Sequence, residues 1–145
     1  MKLKMKIMAF LVMITMSGIA KTDTQPVSSK DFAVENITRF ELRRIYFMKD
    51  RWLEGVGLIT LYQRPPHSNQ HLQFIRETLG LTPSNYFKEL ALAVNSGKGA
   101  IIKVVSTDDD MINKVTDSDN AIGYIDLDTM IITLDKSTKI LKVVD

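Results

Sequence analysis

The residues from Gly57 to Leu79 constrain this chain more than any others: GLITLYQ, then RPPHSNQ, then HLQFIRETL. Leu58, Ile59, Leu61 and Tyr62 form a short apolar run that predicts a buried strand. Leu72, Ile75 and Leu79 fall at helical spacing and predict a helix. Pro65 and Pro66 must end the strand, because proline has no N–H to give to a ladder. Ser68 then stands where an N-cap belongs. The first amides of the following helix, on Asn69, Gln70 and His71, point out of the turn, and Arg64 lies at its mouth. Free amides, a helix positive pole, one hydroxyl and one guanidinium are the parts of an oxyanion cradle.

The rest of the chain alternates in the same way. Asp31–Ile37 predicts a short strand. Thr38-Arg39-Phe40-Glu41 is a capping box that opens a helix to about Phe47, with Leu42, Ile45 and Tyr46 on its apolar face. Met48–Val56 reads as a loop, and its Trp52 is expected to plug the core beneath it. Thr82 and Pro83 open a helix as N-cap and first residue, with Tyr86, Phe87, Leu90, Ala91 and Val94 on one face. Gly97 or Gly99 in Ser96-Gly97-Lys98-Gly99 closes that helix. Ala100–Val105 predicts a strand. Thr107 and three aspartates open a helix that turns Met111, Ile112 and Val115 inward, the carboxylates being favoured at a helix N-terminus. Asn120–Asp126, Met130–Leu134 and Ile140–Val144 predict the closing strands. Alternating strands and helices define an α/β fold, a mixed, partly parallel sheet flanked by helices.

The first 20 residues are a separate object. Lys2, Lys4 and Lys6 precede an apolar run from Ile7 to Met16, and Gly18 and Ala20 supply a small-x-small site. That is the pattern of a Sec signal peptide over residues 1–20. Residues 21–30 read as a polar leader, and residues 31–145 as the folded domain. The signal segment holds three of the 19 basic residues and none of the 17 acidic ones, so the mature charge is 16 − 17 = −1. The basic balance of the whole chain belongs to that segment and gives no argument for nucleic-acid binding. Cysteine is absent, which removes disulfides, a lipid-attachment thiol and thiol chemistry. A periplasmic location follows as the expectation, with no stable membrane insertion once the signal is removed.

The order of segments ELRRIYFMKDRWLEG, LYQRPPHSNQHLQFIRETLG, FKELALAVNSGKG, TDDDMINKV and NAIGYID resembles the periplasmic phosphate-binding proteins of ABC importers. The likeness is to the short members with a single lobe of a type II periplasmic binding protein, and it covers Thr38 to about Asp126. It implies that Arg64 and Ser68 bind phosphate with the amides that follow, Asn69 and Gln70 standing in for a glycine and a threonine. It also implies an ABC transporter or a membrane sensor as partner. Two departures bear on this. Pro66 replaces the carboxylate that accepts a proton from the ligand, which weakens discrimination against sulfate. The second lobe that would close over the ligand is missing, so two or three charge-assisted bonds leave an affinity of about millimolar.

Other residue groups have plainer readings. His67 and His71 are four apart but straddle the cap and lack a third ligand, so no metal or cofactor is expected. Arg39, Arg43 and Arg44 read as a solvated helix edge. No serine has a visible His–Asp partnership, and no enzyme activity is expected. The expected function is recognition of phosphate or a related oxyanion, linked to transport or sensing. The alternative is a protein-interaction module that keeps the fold without the ligand.

Overall fold

The computed structural model describes residues 24–97, 102–126 and 137–145. The signal segment and the Met130–Leu134 strand of the sequence reading lie outside them. In chain order the elements are β1 (Thr24–Ser29), β2 (Asn36–Thr38), α1 (Arg39–Tyr46), β3 (Trp52–Leu53), β4 (Gly57–Leu58) and β5 (Thr60–Gln63). Then come α2 (Asn69–Gln73), which runs into a π-helical turn at Phe74–Thr78, α3 (Pro83–Asn95), β6 (Lys103–Val104) and α4 (Asp108–Thr116). The chain continues through β7 (Ala121–Asp126), β8 (Thr138–Ile140) and β9 (Lys142–Val144).

Five strands form one sheet in the order β6-β5-β7-β1-β8. β5 is parallel to both β6 and β7, whereas β1 is antiparallel to β7 and β8. The sheet is mixed and helices cover it, as expected for an α/β chain. Side chains alternate across it. Ile59, Leu61, Ile122 and Tyr124 pack with Phe74, Ile75, Leu79 and Tyr86. Tyr62, Ala121 and Ile125 pack with Met111, Ile112 and Val115 of α4. Gly123 faces α4 as well. A Cβ there would lie 3.0 Å from Val115 Cγ1 and closer still to Met111 Sδ. Gly123→Val is therefore expected to lose about 3 kcal/mol of stability by overpacking, read as a lower urea midpoint. A midpoint equal to that of the parent would contradict this packing.

The caps are as the sequence predicts. Thr38 and Glu41 complete a reciprocal capping box on α1, Thr82 and Pro83 open α3, and Thr107 caps α4. Gly97, at φ +76°, follows the end of α3 as its left-handed terminator.

Several expectations are corrected. Residues 24–29 are not leader. They form β1, and Val27, Ser28 and Ser29 are buried between neighbouring strands. The polar atoms of this strand are partly satisfied internally: Thr78 Oγ1 donates to Thr24 O at 3.1 Å, and Ser28 Oγ to Ser29 O at 3.2 Å. Pro26 lies just outside the three residues that β8 pairs with. Trp52 does not plug the core. It is 67% exposed on the β3–β4 hairpin, because Leu53, its neighbour on the opposite face, takes the inward position. The strand expected across Gly57–Gln63 breaks at Ile59, whose N–H bonds Arg51 O at 2.7 Å. Ile140–Val144 is likewise divided by Leu141, which turns into the core. The early strand is shorter than Asp31–Ile37 and spans Asn36–Thr38. On α3 the buried residues are Tyr86 and Ala93, and Val94 faces outward.

Candidate functional site

β5 ends where β7 and β6 flank it, and the chain leaves its carboxyl end through Arg64-Pro65-Pro66-His67-Ser68. In open α/β sheets the crevice outside the carboxyl ends of parallel strands, where successive crossovers diverge, is where ligands bind. Here α2 and α3 connect β5 to β6 on one face, and α4 connects β6 back to β7 on the other. The start of α2 and the start of α4 therefore meet at one edge.

Each residue has a physical reason for its place. Pro65 O accepts both Ser68 N–H at 2.9 Å and Ser68 Oγ at 2.7 Å, which closes the turn. Ser68 Oγ in turn accepts His71 N–H at 3.3 Å, the cap bond predicted from the sequence. The hydroxyl proton of Ser68 is thus committed to the turn. The cap meets the third amide of α2, and the N–H groups of Asn69 and Gln70 precede it. Asn69 is exposed and Gln70 half-buried.

Arg64 is held from two sides. Its backbone N–H donates to the Tyr124 hydroxyl at 2.9 Å. Its Nη1 lies 3.5 Å from Asp108 Oδ1, with side-chain exposures of 11% for Arg64 and 15% for Asp108. Arg64 Nε is buried and has no hydrogen-bond partner among the described residues. A nearly buried guanidinium with one long ion pair and an unmet donor retains capacity for an anion.

The Tyr124 hydroxyl also bonds His71 Nδ1. The hydroxyl oxygen has two lone pairs, so it accepts from Arg64 and can either donate to Nδ1 or accept from it, and His71 Nε2 is buried with no hydrogen-bond partner among the described residues. Tyr124 stacks on Phe74, with ring centroids 3.9 Å apart and planes 6° from parallel. Burial raises the Tyr124 and Tyr86 phenols well above their ordinary range. Burial, with a smaller contribution from His67, lowers His71 from 6.5 to about 4. His71 is therefore a neutral, buried structural group. The described residues contain no group of three or more metal-ligating side chains.

Arg64, Ser68, Asn69 and Gln70 lie in one turn, and Asp108 and Tyr124 reach Arg64 from other elements. Asp108 was legible only as a helix N-terminal carboxylate; its reach to Arg64 depends on β6 lying beside β5. Tyr124 was visible in AIGY but gave no sign of its hydrogen bond across the sheet. The arginines of α1 are also more engaged than a solvated edge. Arg43 Nε donates to Leu79 O at 2.5 Å, Arg39 pairs with Asp145 at 2.9 Å, and Arg44 pairs with Asp50 at 3.3 Å.

The fold is that of one lobe of the phosphate-binding proteins of ABC transporters. An ABC-type phosphate transport receptor from Vibrio cholerae superposes with a TM-score of 0.61 at 20% identity, over 83% of this chain and 46% of that one. PstS from Borrelia burgdorferi does so with a TM-score of 0.63 at 22% identity, over 83% of this chain and 47% of that one. A Clostridium perfringens protein solved with phosphate bound gives 0.59 at 16% identity, over 83% and 44%. The chain thus spans less than half the length of these structures. No protein-family model matches the sequence, nor does any curated protein.

Proposed function

We propose that this chain is a non-catalytic, periplasmic lobe that recognises phosphate or a related oxyanion at the Arg64–Gln70 turn, linked to ABC transport or sensing. The observation that carries the reading is the nearly buried Arg64 guanidinium at the carboxyl edge of the sheet, with an unmet Nε and a single long ion pair among the described residues. The likeness in fold to phosphate receptors supports the same ligand class. Arg64 supplies the charge, and Asn69 and Gln70 supply main-chain donors. Ser68 shapes the turn rather than donating its hydroxyl. Asp108 supplies the carboxylate that Pro66 removes from the turn. It accepts the proton of a protonated phosphate and repels sulfate, so discrimination is retained from a different strand end. No helix among the described residues is long and apolar enough to cross a membrane.

Thermal unfolding in about 50 mM phosphate tests this. With a Kd of about 1 mM, phosphate stabilises the native state by about 2 kcal/mol. Arg64→Ala is expected to abolish the shift, and Asp108→Asn to narrow the gap between phosphate and sulfate. Equal shifts with phosphate, sulfate and chloride at matched ionic strength would contradict the reading. So would a phosphate shift that survives Arg64→Ala.

A further inference from the structure

A second concave surface lies away from the Arg64 turn, between α1 and α3. This cleft has a volume of about 770 Å3, within the range of roughly 300–1,000 Å3 typical of ligand pockets. Arg43, Arg44, Lys49 and Lys88 line it, against one lining carboxylate, Glu89. The concentration is notable in a chain whose residues 21–145 sum to 16 − 17 = −1.

The positive charge is only partly cancelled. Lys49 pairs with Glu89 at 2.8 Å and Arg44 with Asp50 at 3.3 Å, both on the surface. Such pairs are weak and yield to a competing anion. Arg43 is bound to the neutral carbonyls of Leu79 and Gly80 and has no counterion among the described residues. Lys88 is exposed and forms no ion pair among the described residues. Four cations against two carboxylates leave an excess of two positive charges.

The cleft also has an apolar wall. Phe40 is 66% exposed, although the inward face of α1 is made by Leu42, Ile45 and Tyr46. Arg44 lies over its ring, 5.6 Å from the centroid. The hollow on the other side of Phe40, about 240 Å3, is lined by three carboxylates, Glu41, Asp50 and Glu54, against one cation, Arg44. An acidic ligand is repelled from that side and confined to the cleft. Aromatic residues and arginine are enriched at the cores of protein interfaces.

We propose that the α1–α3 cleft docks an acidic peptide segment of a partner protein, with an aromatic or aliphatic side chain of that segment against Phe40. Charge complementarity selects the acid, and the ring selects the anchor. A broad anionic bilayer surface would also meet Glu41, Asp50 and Glu54 on the far side of Phe40, which favours a peptide over an anionic membrane.

The test is fluorescence anisotropy of the full chain with a labelled oligoglutamate peptide carrying one central phenylalanine. Saturable binding is expected, weakened at least tenfold by Lys88→Glu and, separately, by Phe40→Ala. Both positions are on the surface, and circular dichroism confirms that each variant folds. Arg64→Ala is expected to leave peptide binding unchanged, and phosphate at an ionic strength matched with chloride is expected not to displace the peptide. These two arms separate this cleft from the anion site. Absence of binding would overturn the proposal, as would equal binding by Lys88→Glu. Displacement specific to phosphate would overturn it too, and so would Lys88-dependent binding to anionic phospholipid vesicles without peptide binding.

Discussion

Tyr124→Ala is expected to remove most of the stability of this domain. The ring is buried, stacked on Phe74 and tilted against Tyr46 at 6.4 Å. Truncating a buried aromatic side chain costs about 3–5 kcal/mol through lost burial and the cavity left behind. The Arg64 N–H would also lose its acceptor, at about 1–3 kcal/mol for a stranded buried donor. Together these approach the whole 5–15 kcal/mol of a typical domain. Tyr124→Phe separates the two effects. It keeps the stack and removes only the hydroxyl, so about 1–3 kcal/mol is expected in urea unfolding. It is also expected to weaken phosphate binding, because the turn that carries Arg64 loses its tie to β7. A Tyr124→Phe protein with parent stability and parent phosphate response would show that the hydroxyl does not organise the site.

The second large effect is on pH dependence. His71 is fully buried, and burial holds it down at about 4 instead of 6.5. Above pH 6.5 both folded and unfolded chains carry it neutral, and its contribution is fully present. Between 6.5 and 4 the unfolded chain takes up a proton that the native protein refuses. Stability therefore falls as the pH drops through this window, by about 1.4 kcal/mol per pH unit and about 3 kcal/mol in all. Carboxylates add their own dependence at lower pH, so the useful quantity is the difference between the parent and His71→Gln. Glutamine keeps a hydrogen-bonding group for Tyr124 but does not titrate. The parent is expected to lose more stability than the variant between pH 6.5 and 4. Parallel stability–pH curves for the two proteins would contradict the neutral, buried His71.

Local chemistry was legible where one segment contains the whole cause. The Thr38–Glu41 capping box, the Thr82-Pro83 start of α3 and the Ser68 cap each depend on residues within four positions. So did the inward face of α4, whose apolar residues repeat at helical spacing. β1 was not legible because TQPVSS has little apolar content. Its place comes from the two strands that enclose it. Trp52 was misplaced because a large ring in a loop predicts burial on average, whereas a two-residue strand pair exposes one side chain of each pair. The proposed cradle was legible in part: Arg64, Ser68 and the following amides share one turn. Its completion was not. Asp108 and Tyr124 arrive from 44 and 60 residues away, and only the strand order β6-β5-β7 brings them to Arg64.

The most direct measurement is a phosphate titration followed by nuclear magnetic resonance, observing the Arg64 side-chain Nε–Hε signal together with the amides of Asn69 and Gln70. A common, saturable shift of all three with a Kd of about 1 mM is the result predicted, with sulfate producing a smaller shift at matched ionic strength. If all three signals stay in place up to about 50 mM phosphate, well above that Kd, the oxyanion site is not there.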